Sequence, residues 1–165
     1  MEKAVIAAGC FWGVQFYFDQ IPGVTETTVG YTGGHTENPS YEQVCTHTTG
    51  HAEAVQIAFD PQLVTYEVLL KHFFRMHDPT QLNRQGPDVG DSYRSAIFYT
   101  SDEQKAAAEQ ARKQAQADFK DPIVTEITKL AVFYPAEDYH QKFAERTGRG
   151  LCHVPYEPLA DSAPV

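Results

Sequence analysis

The chain has 165 residues, 42% of them hydrophobic, and a formal charge of −9. That length suits a single domain over residues 1–165, able to bury roughly two-thirds of its unfolded surface without disulfide staples. The acidic balance argues against nucleic acid or anionic membrane as partners, and no segment reaches the ~20 apolar residues of a membrane span.

The first apolar run, Ala4 to Ala8, is short and uniform enough for one buried strand. Gly9-Cys10-Phe11-Trp12-Gly13 follows, and the spacing then becomes helical, with Trp12, Phe16 and Gln20 on one stripe of a helix from Phe11 to Gln20. Cys10 is thereby placed where a strand ends and a helix begins. Free N–H groups and the positive end of the helix dipole favour a thiolate there, with pKa values falling from ~8.5 into the range of roughly 3.5–7.5. Phe11 and Trp12 would then wall off an apolar group of a substrate. The competing reading is a small buried cysteine beside two core aromatics. Ala7-Ala8-Gly9-Cys10 looks superficially like a lipoprotein cleavage site, but the stretch between Lys3 and Cys10 is shorter than the roughly 7–15 apolar residues of a signal core.

Ile21-Pro22-Gly23 stops the helix. Val24 to Thr32 is rich in β-branched residues and reads as a strand, closed by Gly33-Gly34. A polar loop leads to Tyr41, and a third strand spans His51 to Phe59. Its alternation sets His51, Glu53, Val55, Ile57 and Phe59 on one face and the alanines with Gln56 on the other. Glu53 therefore faces an apolar environment, where its pKa rises and its protonated form is favoured, as general-acid chemistry requires. A glutamate at the sheet rim, or one paired with a base, is the alternative.

Thr65 to His77 is predicted as an amphipathic helix from Tyr66, Leu69, Leu70 and Phe73. After Asp78-Pro79 an unpatterned stretch runs to Ser92, long enough to suggest a functional loop. Tyr93 to Tyr99 reads as a strand, Ser101 with Gln104 as the capped start of a helix to Asp118, and Ile123 to Val132 as a last long strand. A short helix after Pro135 is expected to carry Tyr139 and Phe143 on one side. Residues 147–165, rich in glycine and proline, form an irregular tail that carries Cys152. The alternation of strands and helices predicts an α/β or α+β fold with helices packed on one sheet.

Three widely separated cysteines do not make a secreted disulfide framework. They fit a reducing, cytoplasmic setting in which a disulfide would be transient. His51-Ala52-Glu53 matches half of a zinc-deaminase signature whose other half is missing from the chain. Cys45, His47 and His51 lack the paired spacing of a structural zinc site, so no metal and no cofactor is expected. An activated Cys10, a buried acid and a mobile second thiol at Cys152 together describe a redox cycle through a disulfide.

Six motifs extend this reading: Gly9-Cys10-Phe11-Trp12-Gly13, Gly30-Tyr31-Thr32-Gly33-Gly34, Gly50-His51-Ala52-Glu53-Ala54-Val55, His77-Asp78-Pro79-Thr80, Asp88-Val89-Gly90-Asp91-Ser92-Tyr93-Arg94-Ser95 and Ala136-Glu137-Asp138-Tyr139-His140-Gln141. In this order, from Lys3 to His153, the chain resembles the peptide methionine sulfoxide reductase A family. The resemblance implies reduction of methionine S-sulfoxide, free or in oxidised proteins, to methionine. It implies Cys10 as nucleophile and Glu53 as acid, with the Tyr41 and Tyr93 hydroxyls on the sulfoxide oxygen. Phe11 and Trp12 would hold the ε-methyl group, and Asp88 the substrate amide. It further implies a Cys10 sulfenic acid resolved by Cys152, with thioredoxin as the external reductant and partner. The implied fold is a two-layer sandwich with a mixed sheet and a ferredoxin-like core.

The tail has one cysteine where some relatives have two, so thioredoxin would act directly on a Cys10–Cys152 disulfide. His47 stands where relatives often have a small residue, and it receives no role; neither do Cys45 and His140. A thiol peroxidase and a zinc-binding module are the alternatives. A monomer is expected, because no apolar surface helix is evident.

Overall fold

The computed structural model describes residues 1–149 and 156–159. In chain order these form β1 (Glu2–Ala8), α1 (Phe11–Asp19), β2 (Val24–Thr32), α2 (Tyr41–Cys45), β3 (Ala52–Phe59) and α3 (Tyr66–Met76). There follow β4 (Arg84–Gln85), β5 (Asp88–Val89), β6 (Ser95–Tyr99), α4 (Asp102–Ala115), β7 (Glu126–Lys129), β8 (Tyr134–Pro135) and α5 (Phe143–Thr147). The main sheet has six strands in the order β7-β6-β1-β3-β2-β8. Among the described residues only the β6–β7 pair is parallel, so the sheet is mixed and the protein is α/β. β4 and β5 form a separate antiparallel pair.

β1 and β3 sit in the middle of the sheet, as their apolar content requires. Alternation along β3 sends Val55, Ile57 and Phe59 into the larger core, with Phe11, Val14 and Phe18 of α1 and Leu69, Leu70 and Phe73 of α3. Ala52 and Ala54 face the other side, with Val5, Ala7, Ala96 and Phe98. That second face is covered by Leu130 and Phe133 rather than by a helix.

Several boundaries differ from the sequence reading, each for a local reason. α1 is buried on most sides, through Phe11, Val14, Gln15, Tyr17 and Phe18, so the Trp12–Phe16–Gln20 stripe is its more exposed edge. The strand expected from Tyr93 begins at Ser95, because Asp91–Tyr93 form a 3₁₀ turn. The expected strand Ile123 to Val132 shrinks to Glu126–Lys129. Beyond it the chain leaves the β6 edge and crosses the second face with Leu130 and Phe133, then pairs with β2 at the opposite edge as β8. The expected helix after Pro135 splits into a 3₁₀ turn, Asp138–His140, and α5; Phe143 is packed inward, whereas Tyr139 is 56% exposed. The 147–165 tail is described only to Arg149 and over Tyr156–Leu159, so Cys152 lies outside the described residues.

Candidate active site

Cys10 is the residue preceding α1, immediately after the central strand β1. The chain turns there through Gly9, whose φ of +99° is costly for any residue with a Cβ; a Cβ would also stand 2.9 Å from Gln85 Cβ. The sulfur is half-buried and free. Its acidity contradicts the sequence reading. Burial pushes the Cys10 thiol up to about 12, with the Glu53 and Asp88 carboxyls acting in the same direction. The N–H groups of Trp12 and Gly13 do favour the thiolate, so the helix-end effect is present. No full capping hydrogen bond to the sulfur forms, and desolvation outweighs it.

Glu53 is 1% exposed, on the helix-facing side of β3 opposite Tyr31. Its Oε1 accepts the backbone N–H of Phe11 at 3.2 Å, one of the free donors at the start of α1. Its Oε2 is buried with no hydrogen-bond partner among the described residues. Burial raises its pKa to about 8, the Phe11 hydrogen bond opposes this, and Asp88 adds to it. A protonated carboxyl at neutral pH, as the alternation of β3 led us to expect, follows from these surroundings.

Around this pair stand hydroxyls held neutral. Burial is the largest cause raising the pKa of both Tyr41 and Tyr93, and the Glu53 carboxyl acts on both. Tyr41 also donates to Cys45, which is its leading neighbour. Asp88 on β5 acts on Cys10, Glu53 and Tyr93 alike. The chain thus brings Cys10, Tyr41, Asp88 and Tyr93, from four separate segments, within electrostatic reach of Glu53 on a fifth.

The aromatic wall is larger than Phe11 and Trp12. Phe11 is 1% exposed, packed against Tyr31, Tyr41 and His140. Trp12 is half-buried, stacked on Phe143 at 3.9 Å and facing Tyr41 and His140. Of the pair, Trp12 is the more exposed and Phe11 is buried. A groove of about 1110 Å³ reaches Cys10 and Asp88 along α3 and α4 but is not lined by Glu53, Tyr41 or Trp12.

Sequence reasoning missed two supports. Glu137 accepts the Tyr31 hydroxyl and the Tyr41 N–H, both at 3.0 Å, and so ties α2 to β2. Burial works against its charge, yet these donors hold its pKa below the usual carboxylate value. His140 accepts the Trp12 indole N–H at 2.9 Å through Nδ1, and burial keeps it neutral with its proton on Nε2. Both lie in the Ala136–Gln141 motif, but nothing in the local spacing shows which strand or helix they reach. His51, by contrast, is structural: Nδ1 accepts the Gly34 N–H at 3.0 Å and Nε2 donates to the Thr36 carbonyl at 2.7 Å. Both nitrogens are engaged, leaving no lone pair for a metal.

The family model described as peptide methionine sulfoxide reductase matches residues 2–163. The peptide methionine sulfoxide reductase MsrA of Methanosarcina mazei is 57% identical over 150 residues, covering 90% of this chain and 71% of that protein. That of Methanothermobacter thermautotrophicus is 54% identical over 155 residues, covering 93% and 92%. Among solved structures, reduced Mxr1 of Saccharomyces cerevisiae superposes with a TM-score of 0.87 at 32% identity, covering 94% of this chain and 92% of that one. Mxr1 in complex with Trx2 superposes at 0.66 with 25% identity, covering 94% and 90%. On the match to the family model over nearly the whole chain and on these identities, the chain belongs to the peptide methionine sulfoxide reductase A family.

Proposed function

We propose that this methionine sulfoxide reductase acts on the S epimer, free or in oxidised proteins, through Cys10 and Glu53. The observation that carries the assignment is the unpartnered Oε2 of a protonated, buried Glu53 close to the Cys10 sulfur. A sulfoxide oxygen entering there would receive the Glu53 proton, with the Tyr41 and Tyr93 hydroxyls hydrogen-bonding it. Protonation makes the sulfur electrophilic as Cys10 attacks. The carboxylate left on Glu53 can take the thiol proton, which lets a thiol of high pKa react without a standing thiolate. Trp12, backed by Phe11, holds the methyl group, and Asp88 the amide.

The electrons balance over two stages. Methionine sulfoxide plus the Cys10 thiol gives methionine plus a Cys10 sulfenic acid; the substrate sulfur gains two electrons and Cys10 loses two. The Cys152 thiol then condenses with the sulfenic acid, releasing water and forming the Cys10–Cys152 disulfide. A thioredoxin dithiol reduces that bond by exchange. The Trx2 complex of Mxr1 supports such a partner. No cofactor enters the cycle. The strand order β6-β1-β3-β2, all antiparallel, with helices after the first and third of these strands in sequence, supports a ferredoxin-like core within a two-layer sandwich. We place the working domain over residues 1–165, in a reducing cytoplasm, as a monomer.

Stopped-flow measurement of the first step tests the acid. Glu53→Gln retains an acceptor for the Phe11 N–H but has no proton to give. The rate should fall about 10²- to 10⁴-fold, while thioredoxin reduction of preformed disulfide stays near wild type. In the wild type, kcat/KM should decline as pH rises through about 8. A Glu53→Gln rate within a few fold of wild type would remove Glu53 as the acid.

A further inference from the structure

His47 adopts a backbone conformation that its residue type does not favour. It follows Thr46, the C-terminal cap of α2, with φ of +60°. In this left-handed region a residue with a Cβ is strained, and glycine or asparagine is the usual occupant. The helix end itself needs no imidazole: the His47 N–H closes it on Val44 O at 3.0 Å, as any residue's would.

The ring crosses to another segment. It lies against Gly90, where a Cβ would fall 2.3 Å from His47 Cε1 and 2.6 Å from both ring nitrogens. Gly90, at φ +135°, is the pivot between Asp88 on β5 and the turn Asp91–Tyr93. Nδ1 stands 3.6 Å from Asp91 Oδ1, a buried oxygen without a hydrogen-bond partner among the described residues. The same nitrogen is 3.4 Å from Ser92 Oγ. The Tyr93 ring meets the imidazole edge-on, centroids 6.3 Å apart. One side chain therefore touches four consecutive residues, Gly90 to Tyr93, from the end of the helix that carries Tyr41 and Cys45.

We propose that His47 is a positioning residue for Tyr93: it clasps the 90–93 turn to the end of α2, holding the two tyrosine hydroxyls in register above Glu53. The inference rests on the reading that Tyr93 donates to the sulfoxide oxygen. It accounts for a strained histidine at a helix end that glycine would close with less cost. Strain of this kind persists where the surroundings hold it, here the fit over Gly90 and the contact with Asp91. A hydroxyl that can swing loses part of its stabilising contact with developing charge, and a full ångström of misplacement costs about 10²-fold in rate.

The test uses His47→Gly, which relieves the strained backbone and removes the clasp. Its thermal midpoint should equal or exceed that of wild type, while the first-step rate falls roughly tenfold, half of that ångström-scale loss on a logarithmic scale. His47→Asn suits the left-handed backbone and keeps a donor toward Asp91, so it should recover part of the rate. Two outcomes overturn the proposal: a His47→Gly rate within twofold of wild type, or a rate loss accompanied by a matching drop in thermal midpoint, the mark of a merely structural residue. A cycle with Tyr93→Phe separates this from the underlying reading. If Tyr93→Phe alone leaves the rate unchanged, Tyr93 is not a donor and the reading fails. If Tyr93→Phe slows the reaction and His47→Gly multiplies that loss by its full single-variant factor, the two act independently and the clasp fails. Non-additive losses support it.

Discussion

Glu53 performs its proposed chemistry at the expense of the fold. Its ordinary pKa of 4.5 is raised by burial to about 8. A raised acid binds its proton more tightly in the folded chain than in the unfolded one. The associated stability is fully present below about pH 4.5 and is lost as pH rises through about 8. At about 1.36 kcal/mol per pH unit, the loss across that window is on the order of 5 kcal/mol. Glu53→Gln has no such titration. Its stability in urea should exceed that of wild type at pH 9, and the difference should shrink toward pH 5. A stability advantage that does not vary with pH would mean that the carboxyl titrates alike in both states. The opposite signs of the effects on rate and stability mark a side chain placed for reaction rather than for packing.

At the scale of elements, α2 shows how a short helix is seated by a distant carboxylate. Ser40 and Gln43 form a reciprocal capping box, but five residues cannot hold a helix alone. Glu137 supplies the tie, taking the Tyr41 N–H and the Tyr31 hydroxyl. Glu137→Ala leaves both donors without their acceptor and should cost about 2–3 kcal/mol in thermal or urea unfolding, together with a slower first step as Tyr41 shifts. Glu137→Gln should restore much of this, since its amide oxygen can accept the N–H and its NH₂ can donate to the Tyr31 oxygen. The charge favoured by these donors contributes stability above the unfolded carboxylate pKa, lost as pH falls through the lower folded value. The Ala variant should lack that acid-side loss. Equal stability of Glu137→Ala and wild type would show that α2 is held by its apolar contacts instead.

The elements also show what a sequence carries. β2 matched its predicted limits because β-branched residues and flanking glycines bound it on both sides. β3 betrayed the burial of Glu53 because its large residues all share one face. The Ser40–Gln43 box was a visible signal for α2, in a stretch after Tyr41 to which the sequence reading assigned no element. β4 and β5, two residues each, are too short to have a period. The Cys10 acidity failed for a different reason. A helix start can be read from local spacing, whereas the desolvation and the Glu53 and Asp88 carboxyls that override it come from segments brought in by the fold.

Across the whole molecule, the sheet gathers the site at one end, and α1 links that site to the distant part of the chain. α5 packs on α1 through Phe143 and Trp12. Farther along, Tyr156 meets Tyr17 of α1 edge-on at 5.5 Å and stacks on His72 of α3. Arg75 bonds the Tyr17 hydroxyl at 2.8 Å and the Glu157 carbonyl at 2.9 Å, fixing this stretch further. Described residues on both sides of residues 150–155 thus pack against α1, the helix whose first turn begins at Cys10. Cys152→Ser should form one equivalent of methionine per enzyme at the wild-type first-step rate, then stop under thioredoxin. A dimedone-type reagent should trap the sulfenic acid on Cys10, identified by mass spectrometry of the modified peptide. Sustained thioredoxin-driven turnover in Cys152→Ser would reject Cys152 as the obligatory resolver. Repeating that measurement with Cys45→Ser added would distinguish Cys45, whose thiol already meets the Tyr41 hydroxyl, from direct attack by thioredoxin on Cys10.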